Sequence, residues 1–472
     1  MNPPEIDLIS SDKGLVVAPA GCGKTQIIID SLIAHPDQAK PVLILTHTNA
    51  GVAALRNRLN AKGVKSTSYK VSTIDGWSMR LVSMFPKISG CSAEILKIKN
   101  PSKDYQSIRN GALKILSSGN LDEALKATYS KLLADEYQDC QIIQHQIISK
   151  ISDQISTCVV GDPLQAIFNF GSNQLVSWSE VTETFPIIGE LKTPWRWINA
   201  GVPELGEWLI SIRPKLLTGK RLDLENCPRQ VKWIRVDPKN SYAERLNAAS
   251  TKPTHVEGQT LVLGDSSSPP NQQKIASQTP GATTVESADF RDLIAFSSTF
   301  IFSAPNALER LVNFCSTLVA NVNAADFLRR IASLQNARVR TEANETEKLA
   351  LEFIKDPSLY AASLVLDRIS SGSGCRIYRP EILKTAINAM QLADQGPMDF
   401  FSAVLYYRDL SRHLGKRINK RAVGSTLLLK GLEADTVVIL HPEKMDAANL
   451  YVALTRGAKA IVICSESRCL PV

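Results

Sequence analysis

The stretch Ala18-Pro-Ala-Gly-Cys-Gly-Lys-Thr25 has the residue types needed to hold a polyphosphate. Gly21 and Gly23 lack a Cβ, so backbone N–H groups there can turn inward around an anion. The apolar run Gly14–Ala18 before it reads as a buried strand. After it, the spacing of Ile27, Ile28, Ile29, Leu32 and Ile33 predicts a helix over Thr25–Ala34. The loop would open that helix, where the backbone dipoles add partial positive charge. Lys24 can reach the β- and γ-phosphates of a nucleotide, and the Thr25 hydroxyl can ligate Mg2+. Ala20, Gly21, Cys22, Gly23, Lys24, Thr25 and Gln26 form the expected nucleotide-contacting set. Ala18 stands where the strict pattern has glycine.

Other polar groups follow the same strand-end logic. Asp135-Glu136 ends the run Lys131–Ala134. An aspartate there can hold Mg2+, and the next glutamate can polarise an attacking water. Gln165 follows the strand Ser156–Val160 and can sense a terminal phosphate. Phe168 and Phe170, if extended, share a face and could stack on successive bases, each worth ~1–3 kcal/mol. Arg196 and Arg456 are candidates for stabilising charge on a transferring phosphoryl group.

The elements that must position these groups alternate strand and helix, which argues for parallel sheets covered on both faces. Pro41–Leu45, Lys131–Ala134 and Ser156–Val160 are expected strands of a first core, and Val231–Arg235, Thr260–Leu263, Thr426–Leu429, Thr436–Leu440 and Ala460–Cys464 of a second. Residues between Trp77 and Lys131, and again from about 288 to 415, have helical patterning. The expected architecture is α/β: two parallel-sheet domains, each with a helical insertion. Its expected boundaries are a first core over 1–78 and 131–187 with an insertion at 79–130, and a second core over 188–287 and 421–472 with an insertion at 288–420.

The chain has 472 residues, room for two to four domains at roughly 100–200 residues each. Fifty-four Lys and Arg against 46 Asp and Glu give a net charge of +8, compatible with a polyanionic partner. Nine scattered cysteines without a C-x-x-C pair point to free thiols rather than a disulfide framework or a zinc site. No secretory signal is visible, and no apolar run reaches the ~20 residues that span a bilayer, so a cytoplasmic protein without a membrane partner is expected.

Taken in order, these segments resemble the motif series of UvrD/Rep/PcrA-type superfamily 1A DNA helicases. The resemblance runs from about 14 to 199 and from about 423 to 464. It rests on Thr46-His-Thr-Asn-Ala50, Ser72–Gly76, Asp135-Glu-Tyr-Gln-Asp139, Val160–Phe168, Leu191–Arg196, Lys430-Gly-Leu-Glu433 and Leu450–Gly457. It implies two RecA-like domains of the P-loop NTPase kind, each with a helical insertion, and ATP and Mg2+ as cofactors, with Lys24 and Thr25 on triphosphate and metal, and Asp135 and Glu136 as metal partner and catalytic base. It further implies that Gln165, Arg196 and Arg456 attend the γ-phosphate and that Glu433 lies near the ribose. Thr46, Thr48, Asn49, Phe168 and Phe170 would line the track of single-stranded or tailed double-stranded DNA, with 3′ to 5′ translocation. The size and motif content also resemble the helicase subunit of Gabija-type antiphage systems, which implies an OLD-like nuclease partner; a stand-alone repair helicase is the rival.

Departures from the family pattern fall mainly on the DNA side. His47 replaces a stacking phenylalanine, Asp75 a histidine, Leu427 a histidine and Gly171 an arginine. The adenine-reading glutamine has no counterpart in Met1–Leu15. A second reading is therefore a nucleotide-gated protein that binds DNA and a nuclease, with weak or no unwinding. Arg408, Arg412, Lys416 and Lys420, with Arg417 and Arg421, form a cationic run that could meet phosphates, an acidic protein surface or only solvent.

Overall fold

The computed structural model describes residues 5–36, 39–98, 100–168, 174–336, 338, 341–396, 398–411 and 419–471, without the side chain of Ser102. The chain divides into two compact units. The first comprises Met1–Gln230, Met445–Lys459 and Cys469–Val472; the second comprises Val231–Lys444 and Ala460–Arg468. Residues 188–230 and 445–459, expected from the sequence to join the second core, pack inside the first unit.

Sixteen strands among the described residues are numbered in chain order. The first sheet contains β1 (Lys13–Val17), β2 (Val42–Thr46), β3 (Tyr69–Thr73), β4 (Lys131–Ala134), β5 (Thr157–Gly161) and β6 (Ile187–Glu190), in spatial order β3-β2-β4-β5-β1-β6. Every neighbouring pair in it is parallel. Successive side chains on a strand point to opposite faces. Leu15, Leu43, Leu45, Leu132 and Val159 accordingly join a core on one face with Ile108, Ala112 and Ile115 of the helix Pro101–Ser117. Val16, Ile44, Leu133, Cys158 and Val160 face the other way, onto Ile28 and Leu32 of the helix Lys24–Ala34 and Leu55 and Leu59 of the helix Asn49–Ala61. Burial on both faces is why these strands read as unbroken apolar runs.

Between β6 and the second sheet lies β7 (Leu222–Asp223), which pairs with β16 (Cys469–Leu470). The second sheet contains β8 (Val231–Arg235), β9 (Thr260–Leu263), β10 (Ala282–Thr284), β13 (Arg421–Gly424), β14 (Ala434–Ile439) and β15 (Gly457–Ser465), in order β10-β13-β9-β14-β15-β8. The fold is thus α/β with two six-stranded parallel sheets, as expected from the strand-helix alternation. The expected strand Thr426–Leu429 is instead a helical turn. The Ser425 hydroxyl accepts from the Leu428 N–H at 3.2 Å and caps it, and the strand precedes it as β13. A short apolar run does not distinguish the two states.

Seven helices among the described residues between Arg291 and Ser411 pack around their own apolar core. Two short strands not expected there, β11 (Val319–Ala320) and β12 (Arg376–Ile377), pair antiparallel. Just beyond β12, the buried Arg379 donates to both oxygens of Glu286 at 2.8 and 2.9 Å and pairs with Asp292 at 2.7 Å. That knot ties the helical layer to the end of β10. No helix among the described residues is long and apolar enough to cross a membrane. All nine cysteines are free.

Candidate functional site

The phosphate loop leaves β1 and enters the helix Lys24–Ala34 through two left-handed glycines, Gly21 at φ 73° and Gly23 at φ 92°. Gly21 is needed twice over. A Cβ there would fall 2.5 Å from the Trp197 ring as well as adopt a disfavoured φ. Ala20 and Cys22 are buried beneath the loop, and burial pushes the Cys22 thiol up to about 12. Gln26 spends its amide on Asp30 at 2.7 Å.

The Lys24 ammonium lies 3.0 Å from the Glu136 carboxylate. Burial works against its charge, but Glu136, Asp162 and Asp135 together hold its pKa above the usual value. Glu136 sits in the left-handed region at φ 56°, unusual for a residue with a Cβ. The conformation turns its side chain toward Lys24, and Gln138 donates a short hydrogen bond to the same oxygen. Asp135, at the end of β4, is buried, which pushes its carboxyl up to about 7; Glu136 adds to the rise and Lys24 opposes it. Its Oδ1 accepts the Glu136 N–H at 2.9 Å.

Thr25 follows Lys24 in the first turn of the helix and Asp135 follows β4, so a hydroxyl and a carboxylate are the candidate hard oxygen donors. Those two residues fit Mg2+, whose remaining positions are commonly filled by water and substrate phosphates. No cluster of three or more His, Cys, Asp or Glu side chains among the described residues offers a different metal site.

Asp162, at the end of β5, is fully buried. It accepts from Gln165 Nε2 at 2.7 Å and, through both oxygens, from Arg213 at 2.8 Å each. The Arg213 guanidinium lies 5.0 Å above the Tyr451 ring. Arg196 packs against the loop: its N–H donates to the Gly21 carbonyl at 3.1 Å, and its guanidinium donates to the Thr455 carbonyl at 2.6 Å. Trp197 is fully buried and donates to the Gly457 carbonyl at 2.9 Å. Arg456 is buried and bonds the Val452 carbonyl of the preceding helix at 2.9 Å and the Thr455 hydroxyl at 3.2 Å. Lys24, Thr25, Asp135, Glu136, Gln165, Arg196 and Arg456 therefore all belong to the first unit. Glu433 is exposed and belongs to the second.

Of the expected DNA-facing residues, Thr46 ends β2, Thr48 and Asn49 follow it, and Phe168 follows β5, at the strand ends where ligands of open parallel sheets sit. Thr46 is buried at the end of β2. The Thr48 hydroxyl accepts from the Gly51 N–H at 3.0 Å, capping the helix that Asn49 begins. Phe168 is partly buried, while Phe170 and Gly171 lie outside the described residues, as do Arg412, Lys416 and Arg417 of the cationic run. Two of the residues that depart from the motif pattern, His47 and Asp75, have side-chain partners. His47 Nε2 lies 3.4 Å from the Cys140 sulfur. Asp75 takes both arms of Arg109 at 2.6 Å, and Arg109 also reaches Gln141 at 2.6 Å.

Sequence reasoning missed Asp162, Arg213, Tyr451, Trp195 and Trp197. One signal was present for Arg213: a cation closing the apolar run Leu209-Ile210-Ser211-Ile212. Trp195 is half exposed, with its ring 3.5 Å from where a Cβ on Gly23 would lie.

Residues 5–103 and 94–186 match the model of the UvrD/REP helicase N-terminal domain. The match covers the phosphate loop, Asp135, Glu136 and Gln165, and stops before Arg196. One component of an ATP-dependent helicase/nuclease from Syntrophomonas wolfei is 31% identical over 98 residues, which are 20% of this chain and 8% of that protein. The chain thus matches a small fraction of that relative's length. Two structures of the Arterivirus nonstructural protein 10 helicase, one with DNA, align at 9% identity with TM-scores of 0.36 and 0.37. They cover 97% of this chain and 61% and 60% of theirs, a likeness too distant to carry an argument.

Proposed function

We propose, from the premise that residues 5–186 are built like the N-terminal domain of a UvrD/REP helicase, that this chain is an ATP-driven DNA helicase or translocase. The observation that carries the reading is the Lys24–Glu136 pair, 3.0 Å apart, beneath a two-glycine loop with Asp135 buried beside it. ATP is the substrate. The loop N–H groups and Lys24 bind its phosphates, displacing Lys24 from Glu136. Glu136, so released, orients and deprotonates the attacking water. Gln165 and Arg196 attend the terminal phosphate and stabilise its developing charge. Thr25 and Asp135 would hold Mg2+, which when bound neutralises phosphate charge.

In this reading single-stranded or tailed DNA lies along Thr46, Thr48, Asn49, Phe168 and Phe170, with 3′ to 5′ polarity. The site works in the cytoplasm, in antiphage defence beside an OLD-like nuclease or in repair. ATPase activity of the purified chain, with and without single-stranded DNA and beside Lys24→Ala, tests the core of it. DNA stimulation that falls by about 100-fold or more in the variant is the expected outcome. Hydrolysis indifferent to DNA, or its absence, overturns the motor.

A second reading, a nucleotide-gated protein that binds DNA and a nuclease, is favoured by one observation. The side chains that depart from the family pattern are tied down locally, His47 beside Cys140 and Asp75 on Arg109. Strand displacement on a 3′-tailed duplex separates the two: the motor unwinds with ATP and stalls with a non-hydrolysable analogue.

A further inference from the structure

The most deeply buried ion pair among the described residues of the first unit is Asp162–Arg213, and neither partner is among the groups expected to touch a nucleotide. Asp162 is fully buried, and the Arg213 side chain is 4% exposed. Two parallel N–H···O bonds of 2.8 Å join them. The oxygen that takes Arg213 Nη1 also takes the side-chain amide of Gln165, at 2.7 Å. The guanidinium face rests on Tyr451, in the helix Ala447–Leu454. Immediately after that helix come Thr455, whose carbonyl receives Arg196, and Arg456. One cation therefore meets two segments that carry candidate phosphate-sensing groups: the loop of Gln165 and the helix end that anchors Arg196.

We propose that Arg213 is a positioning residue for nucleotide hydrolysis, holding Gln165 in place through Asp162. The inference rests on the reading of the chain as a nucleotide hydrolase. Its physical basis is geometric. A carboxylate in a dry pocket keeps its charge only beside a cation and otherwise takes up a proton. A bidentate guanidinium fixes both carboxylate oxygens in one plane, which in turn fixes the oxygen that Gln165 uses. Lysine supplies the charge without the fork.

The test compares Arg213→Lys, Gln165→Ala and the double variant with the unmodified chain. Steady-state hydrolysis is measured with saturating single-stranded DNA, together with the melting temperature and the affinity for a fluorescent ATP analogue. Arg213→Lys should fold and bind the analogue within about threefold of the unmodified chain, while kcat falls by about tenfold or more. In the Gln165→Ala background the same change should cost less than about twofold, because both act through one amide. Unchanged kcat in Arg213→Lys, equal losses in both backgrounds, or lost affinity at constant kcat overturns the proposal. If the lysine variant does not fold, Arg213→Gln with Asp162→Asn removes both charges together and leaves no orphan ion. That pair should melt near the unmodified protein and still lose kcat; full kcat overturns the proposal. If the unmodified chain hydrolyses nothing with or without DNA, the hydrolase reading itself falls and takes this inference with it.

Discussion

Individual residues in the site hold conformations and ionisation states that a free peptide would not favour. Glu136 stays left-handed because Lys24 and Gln138 hold its carboxylate and Asp135 accepts its N–H. Gly21 cannot be replaced cheaply. For Gly21→Ala, the left-handed backbone alone costs about 1–2 kcal/mol, before the Trp197 overlap is counted. Thermal melting and binding of a fluorescent ATP analogue should both show the loss. Asp135 gives a pH signature. Its folded-state pKa of about 7 lies above the ordinary value of 3.8, so the folded protein holds a proton that the unfolded chain releases between those limits. Its contribution to stability is therefore present at low pH and is lost as pH rises toward about 7. Asp135→Asn should flatten that slope in melts recorded without Mg2+.

Helices and strands act as carriers for these groups, and their own attachments are specific. The helical layer of the second unit is fastened to β10 and its following loop by Arg379, whose guanidinium is satisfied by Glu286 and Asp292. Arg379→Ala would strand a buried carboxylate and should cost about 3–5 kcal/mol in urea unfolding. A well-packed apolar replacement of both Arg379 and Glu286 should cost much less, because the one carboxylate left, Asp292, is half exposed to water. If the single and double replacements cost the same, that account of the knot fails. Ser425 works on a smaller scale. Its cap over Leu428 ends β13 and turns the next residues into a helix, and Ser425→Ala should cost about 0.5–2 kcal/mol.

At the scale of the molecule, the two sheets sit in separate compact units, and the chain passes from the first unit to the second and back. The segment Met445–Lys459 returns to the first unit, bringing Tyr451, Thr455 and Arg456 to the residues that hold Asp162 and Arg196. The net charge of +8 adds an electrostatic term to any contact with nucleic acid. Affinity for single-stranded DNA should therefore fall linearly with the logarithm of salt concentration, with a slope of about −0.7 per phosphate neutralised. Fluorescence anisotropy across a salt series measures it. A flat dependence would exclude a phosphate-tracking groove.

The sequence by itself determined the α/β class, most strands of both sheets and the two-glycine loop between a strand and a helix. Each of these is a local property: apolar runs between turn residues, glycines at a strand-to-helix junction, and carboxylates at strand ends. Motif order also placed Lys24, Asp135, Glu136 and Gln165 in one family-like set, and the structure brings Lys24 to Glu136. Only the tertiary structure decided which side chains neutralise one another. The Asp162–Arg213 and Asp75–Arg109 pairs join residues 51 and 34 positions apart, at spacings set by how helices pack on a sheet rather than by any repeat. It also decided that Arg196 and Arg456 lie in the unit that holds the phosphate loop. A chain that crosses between units leaves no mark of the return in its periodicity, because burial looks the same from either side.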